Sequence, residues 1–67
     1  MLKITVNGEH RRLGGPVDLQ SFLTGLELNP KKVAVERNLE IVPKSTFVDV
    51  ILADGDTLEI VHFIGGG

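Results

Sequence analysis

A single stretch of the chain carries the repeat of an amphipathic helix. Its apolar residues follow the i, i+3, i+4, i+7 spacing of one helical face; they are Leu19, Phe22, Leu23 and Leu26. We expect the helix to begin near Val17 or Asp18 and to end between residues 25 and 27, since the residue before Pro30 avoids helical backbone angles. One helix can cover only one face of a sheet, so the other face must be open.

The other apolar patterns are those of β-strands. Residues 2–6 alternate apolar and polar side chains, and Asn7-Gly8 is typical of a two-residue hairpin turn. Residues 9–13 form the polar return strand, and further strand patterns lie at 33–37, 40–42 and 57–64. These elements predict an α+β, two-layer fold: a mixed sheet of about five strands with one main helix packed across one face. The last strand is expected in the middle of the sheet, parallel to the first.

Three local features of the loops are also predicted. Residues 45–48 are expected to form one helical turn with Ser45 as the N-cap, and Phe47 is expected to close the open end of the sheet. Asp54 and Asp56 flank Gly55 in a turn. We interpret both acids as turn residues and not as a metal site, because calcium needs six or more oxygen ligands.

Composition excludes several classes of protein. The chain has 67 residues, no cysteine and a net charge of −2, which predicts one domain without disulfides or thiolate metal sites. Nucleic-acid binding is not expected of an acidic chain. No apolar run approaches the roughly 20 residues of a membrane span, and the first residues lack the features of a signal peptide. We therefore expect a cytoplasmic protein that is monomeric when free.

The sequence offers no catalytic constellation. His10 and His62 are the only histidines, and neither has a serine or cysteine nearby in sequence to form a nucleophile–base pair. Phosphate-binding loop and dinucleotide-binding motifs are absent. The pattern favours a carrier or substrate over an enzyme.

The end of the chain combines a strong strand with three glycines. We expect residues 1–64 to form the domain and Gly65, Gly66 and Gly67 to form a flexible tail, because glycine loses the most backbone entropy on ordering. Such a tail could thread a narrow channel, and its terminal carboxylate could attack the α-phosphate of ATP. The alternative is a frayed terminus or a cloning remnant.

The arrangement of elements and several motifs resemble the ubiquitin-like β-grasp family and, within it, the sulfur carriers of bacterial thiamin thiazole synthesis, the ThiS family. The matching motifs are ITVNGE at 4–9, VAVERN at 33–38, EIVPK at 40–44, ADGD at 53–56 and LEIVHFIGGG at 58–67. Three residues depart from the family pattern. Leu39 and Glu27 stand where glycine is usual, and Pro16 stands where threonine is usual. We expect a weaker turn at Leu39 and a helix that ends through Gly25.

The resemblance implies a function. The carboxylate of Gly67 would be adenylated by an E1-like enzyme (ThiF) that uses ATP and magnesium, so the chain itself would bind no cofactor. A sulfur donor system would convert the adenylate to a thiocarboxylate, and thiazole synthase (ThiG) would receive the sulfur. Three alternatives stay open at this point: a MoaD-like carrier for molybdopterin synthesis, a ubiquitin-like modifier that forms isopeptides, and a binding module whose tail is inert.

The last strand also predicts a docking surface. If Leu58 and Ile60 point toward the helix, then Glu59, Val61 and Phe63 point away from it. An exposed apolar pair beside the tail suggests an interface, so we interpret Glu59, Val61 and Phe63 as partner-binding residues. The alternative is that Phe63 folds over the margin of the sheet and shields the core.

Overall fold

The computed structural model describes residues 1–63, which form a mixed five-stranded sheet with one α-helix on one face. The strands are β1 (Leu2–Val6), β2 (Glu9–Leu13), β3 (Val33–Arg37), β4 (Glu40–Ile41) and β5 (Thr57–His62); the helix α1 spans Leu19–Gly25, and two 3₁₀ turns, η1 and η2, span Pro30–Lys32 and Lys44–Thr46. The predicted boundary between a domain and a tail, at residues 64 and 65, lies outside the described residues. Within that part of the chain, no helix is long and apolar enough to cross a membrane.

The strand order is β2-β1-β5-β3-β4, which places the last strand in the centre of the sheet. β5 runs parallel to β1 and antiparallel to β3. Both features confirm the sequence prediction. The chain can pair its first and last strands in parallel because α1 and the loops after it carry the chain back across the sheet, as a parallel connection requires.

The hairpin between β1 and β2 has the predicted geometry. Asn7 and Gly8 take φ angles of 50° and 83°, the left-handed values that a two-residue hairpin turn needs. β2 lies at the edge of the sheet, and four of its five residues are exposed, which agrees with its polar composition. Asn7 tolerates the left-handed region better than most residues do.

Helix α1 begins at Leu19, directly after Asp18. Asp18 is the N-cap and not a first-turn residue: its carboxylate accepts a 2.9 Å hydrogen bond from the Ser21 N–H. Hydrogen bonding from Ser21 also holds the pKa of the Asp18 carboxyl below its usual value. The cap thus satisfies one of the free N–H groups at the start of the helix.

The C-terminal end of α1 corrects one expectation. Gly25 is the last helical residue, but the left-handed residue that closes the helix is Glu27, with φ of 63°. The Glu27 N–H bonds to the Thr24 carbonyl at 2.9 Å and the Leu28 N–H bonds to the Leu23 carbonyl at 3.0 Å. This pair of bonds forms the Schellman motif, and it fixes the left-handed position two residues beyond Gly25.

Two predictions after β3 need adjustment. The predicted strand 40–42 is shorter, since β4 ends at Ile41, although the Val42 N–H still bonds to the Val35 carbonyl at 2.9 Å. The prediction of Ser45 as an N-cap is wrong, because η2 begins at Lys44 with Pro43 in the cap position. The Pro43 carbonyl accepts both the N–H and the hydroxyl of Thr46, which fixes the turn one residue earlier.

The core lies between α1 and the inner face of the sheet. Leu58 is completely buried, and Phe47 is 1% exposed, so Phe47 packs inside the core. The remaining buried apolar residues come from β1, α1, β3 and the loop before β5; they are Ile4, Val6, Leu19, Phe22, Leu23, Val33, Val35 and Leu52. Ile60 is partly buried against this cluster, which confirms that Leu58 and Ile60 face the helix.

One buried charge lies where the chain enters β5. Asp56 is 5% exposed, and its carboxylate accepts hydrogen bonds from the Arg37 side chain at 2.9 Å, the Asn38 side chain at 3.1 Å and the Ala53 N–H at 2.8 Å. Burial alone raises the pKa of Asp56, but these hydrogen bonds and the charge of Arg37 outweigh it and hold the pKa below its usual value. Asp56 therefore links β3, the β3–β4 turn and β5.

Replacing Leu58 with alanine should lower the free energy of unfolding by about 2–5 kcal/mol, the range for buried leucines. Val61→Ala is the matched control, because Val61 lies on the same strand with its side chain exposed; it should cost less than about 1 kcal/mol. Urea unfolding followed by circular dichroism measures both values. Equal losses in the two variants would contradict the assignment of the inner face.

Acid should destabilise the protein partly through Asp56. A carboxyl whose pKa is lower in the folded state stabilises the fold above its unfolded pKa, and this contribution disappears as pH falls below about 4. Asp56→Asn should lower the free energy of unfolding by about 1–3 kcal/mol at neutral pH; the loss is limited because Arg37 is partly solvated. The stability of this variant should also decline less steeply between about pH 5 and pH 2. Thermal melts over that range, with the exposed Asp49→Asn as control, test this; parallel declines in both variants would contradict it.

Candidate functional site

The face of the sheet opposite α1 is open to solvent, and we call it the open face. Alternation along the strands and the observed register assign its residues. They are Lys3, Thr5, His10, Arg12, Ala34, Glu36, Ile41, Thr57, Glu59 and Val61. All but Thr5 and Ala34 are exposed, in contrast with the buried inner-face residues of β1, β3 and β5, such as Ile4, Val35 and Leu58.

One corner of the open face is apolar. Val61 is 59% exposed and faces Ala34 across the β5–β3 pair, while Ile41 on β4 is 77% exposed. Together with Phe63, which follows β5, these residues form the apolar patch. Ala34, Ile41 and Val61 line a shallow depression of about 110 Å³. The sequence predicted the exposed Val61 and Phe63 but did not identify which residues of neighbouring strands join them.

Phe63 is held at the margin of this patch by two contacts. Its N–H donates a 2.8 Å hydrogen bond to the Lys32 carbonyl, and the Lys44 Nζ lies 5.2 Å from the centroid of its ring, within the range of a cation–π contact. The side chain is 47% exposed. Glu59, Val61 and Phe63 are thus all exposed, as expected, while their role in binding stays a prediction.

The side chain of Asn7 supports the second half of β5. β1 ends where Val6 pairs with Leu58, yet the Asn7 side chain continues the pairing beyond that point. Its Nδ2 donates to the Ile60 carbonyl at 3.1 Å, and its Oδ1 accepts from the Ile60 N–H at 2.7 Å. Sequence reasoning missed this role, because Asn-Gly signals a turn and carries no information about a side chain that reaches a distant strand.

The predicted reactive residues Gly65, Gly66 and Gly67 lie outside the described residues. Phe63 is the last described residue, and it belongs to the apolar patch. The described part of the chain therefore ends at the apolar patch.

Side chains that could act in catalysis or bind a metal are dispersed. His10 Nδ1 lies 3.3 Å from the Thr5 hydroxyl, on an exposed part of the sheet, whereas His62 lies near Ile60 and Leu28 on the opposite face. Among residues 1–63, no three His, Cys, Asp or Glu side chains lie close enough to hold a metal ion. The Asp56 carboxylate is occupied by its hydrogen bonds, and the Asp54 carboxylate accepts the Lys3 N–H at 2.7 Å.

Comparison with known proteins identifies the family of this chain. The model of the ThiS family matches residues 4–67. The chain belongs to the ThiS family. It is also 49% identical over 49 residues to the sulfur carrier protein ThiS of Bacillus subtilis, a match that covers 73% of this chain and 74% of that protein.

Two other relatives of this ThiS-family chain are larger proteins. It is 52% identical over 66 residues to a thiazole synthase of Paramagnetospirillum magneticum and 46% identical to one of Magnetococcus marinus. Each match covers 98% of this chain but 20% of the relative, so the chain spans about a fifth of their length.

The fold is that of a solved ThiS-family structure. The crystal structure of a thiamine biosynthesis protein (ThiS) from Geobacter metallireducens superposes with a TM-score of 0.83 at 30% sequence identity, covering 98% of this chain and 100% of that one. The predicted β-grasp architecture is therefore confirmed. Leu39 and Glu27 keep left-handed backbone angles of 72° and 63° although neither is glycine, so their departures from the expected glycines do not change the fold.

Proposed function

We propose that this chain is a sulfur carrier for formation of the thiazole ring of thiamin and that it acts as a co-substrate and not as an enzyme. The observation that carries the proposal is the match to the ThiS family, which extends through the three glycines to residue 67. The names of the relatives from Bacillus subtilis and Geobacter metallireducens support the thiamin pathway over molybdopterin synthesis or protein conjugation.

The chemistry belongs to the Gly67 carboxylate. Its oxygen attacks the α-phosphate of ATP, pyrophosphate leaves, and an acyl-adenylate forms. Hydrosulfide delivered by the donor system then attacks the acyl carbon and AMP leaves, so that a thiocarboxylate remains and the sulfur keeps its oxidation state. The chain has no cysteine to intercept the activated carbonyl.

The partners follow from these steps. An E1-like enzyme of the ThiF type supplies the site for ATP and magnesium, and a thiazole synthase of the ThiG type accepts the sulfur. The second partner is supported by the two larger relatives named thiazole synthase, in which a segment similar to this chain occurs. We propose that the reaction takes place in the cytoplasm, since it needs ATP and a reduced sulfur donor.

The apolar patch provides a docking surface for these partners. The patch includes Phe63, the last described residue, so a partner that covers the patch would hold the domain while Gly65 and Gly66 pass into the partner's active site. Aromatic residues are frequent anchors at such interfaces, and the Phe63 ring is accessible.

Extending the chain by one residue beyond Gly67 should abolish adenylation, because the attacking carboxylate is displaced from the α-phosphate. The assay incubates each chain with ATP, magnesium and the ThiF-type enzyme from the same organism, and intact-mass spectrometry detects the AMP adduct. The chain that ends at Gly67 is the positive control, and circular dichroism verifies the fold of the variant. An AMP adduct on the extended chain would contradict the proposed site.

Phe63→Ala should weaken binding to the adenylating enzyme at least tenfold, or about 1.4 kcal/mol, with little change in melting temperature. Val48→Ala is the control, because it also truncates an exposed apolar side chain. Val48 lies beside α1 and not in the apolar patch, since the carbonyl of the adjacent Phe47 accepts a hydrogen bond from α1. Titration calorimetry and thermal melts measure the two effects. Unchanged affinity together with a lower melting temperature would assign Phe63 to shielding of the core.

A further inference from the structure

The charges on the open face are segregated in a way that folding does not require. Lys3 faces Arg12 directly in the β1–β2 register, and Glu36 faces Glu59 directly in the β3–β5 register. Like charges placed opposite each other across a strand pair destabilise a sheet. Both pairs are exposed; the basic pair lies on β1 and β2 at one edge of the sheet, whereas the acidic pair lies on the central strand β5 and on β3.

The basic half of the face extends beyond one pair. His10 lies two residues from Arg12 on the same face of β2, and Lys3, His10, Arg11 and Arg12 line one surface depression. This concentration of basic groups occurs in a chain of net charge −2. The acidic half borders the apolar patch, because Glu36 and Glu59 line the same depression as Ile41 and Val61.

We propose that this segregation selects the orientation in which the adenylating partner binds the open face, an inference that rests on the proposed function. The partner surface carries carboxylates opposite Lys3 and Arg12, and it carries lysine or arginine side chains opposite Glu36 and Glu59. Rotating the domain by half a turn on this surface would juxtapose like charges, which costs several kcal/mol. The apolar patch supplies contact area, and the two charge pairs direct the chain end toward the active site.

Single charge reversals with neighbouring controls test this assignment. Arg12→Glu is compared with Arg11→Glu, since Arg11 is the adjacent residue of β2 but faces Ile4 on the inner side of the sheet. Glu59→Lys is compared with Glu9→Lys, since Glu9 faces Val6 on that same inner side. Each pair makes an identical change in net charge, and the two residues of a pair extend from opposite faces of the sheet.

Both open-face reversals should lower kcat/KM for adenylation by the ThiF-type enzyme at least about tenfold at low ionic strength, whereas both controls should change it less than about threefold. The loss should shrink as salt rises, because the Debye length falls from about 30 Å at 0.01 M to about 10 Å at 0.1 M. Thermal melting should be unchanged or improved, since each reversal creates an opposite-charge pair with Lys3 or Glu36.

The sign of each effect distinguishes the possible results. If Glu59→Lys raises kcat/KM while Arg12→Glu lowers it, the partner is uniformly acidic and the proposal is overturned. Effects equal to those of the controls would also overturn it.

Sedimentation of the free chain completes the test: a dimer that either open-face reversal dissociates would assign the face to a second copy and reject the proposal. If the unaltered chain receives no AMP, the proposed function itself fails, a result separate from these.

Discussion

The buried carboxylate of Asp56 determines how the last strand enters the sheet. It accepts hydrogen bonds from β3, from the β3–β4 turn and from the loop that precedes β5. The Asn38 side chain that donates to Asp56 also accepts the Thr57 N–H at 2.9 Å, so the cluster continues into the first residue of β5. Because a buried charge without partners is costly, these groups must assemble together, and the position of β5 follows from their assembly.

β5 in turn connects the core with the functional face. Its inner residue Leu58 is fully buried, while Val61 is 59% exposed on the opposite side. The two sets of side chains alternate along one strand, so the packing that stabilises the domain also orients the residues that a partner would contact. The Asn7 side chain secures Ile60 where β1 no longer pairs, which extends this control toward the end of the chain.

The small size of the domain explains why one sheet face is left for binding. A chain of 67 residues has a limited core, and its one α-helix among the described residues covers the inner face alone. The open face therefore needs no packing residues, and it can retain exposed apolar groups and like-charge pairs. Features that lower stability without serving the fold are expected at functional surfaces, and this face concentrates them.

The local patterns of the sequence determined the order of the elements, the hairpin turn, the helical face and the alternation of β5, because each depends on residues close in sequence. The motifs also identified the family. Tertiary structure decided the rest. Glu27 and Leu39 take left-handed angles because surrounding hydrogen bonds and strand pairing impose them, although their side chains disfavour that conformation.

Contacts between residues distant in sequence could not be predicted from local sequence patterns either. Asp56 has the sequence signature of a turn residue, and only the approach of Arg37 and Asn38 makes it a buried anchor. The pairing of Glu36 with Glu59 depends on the β3–β5 register, which joins segments more than twenty residues apart. The sequence thus determined which surfaces each strand has, whereas the tertiary structure decided which side chains share them, since that depends on strand order and register.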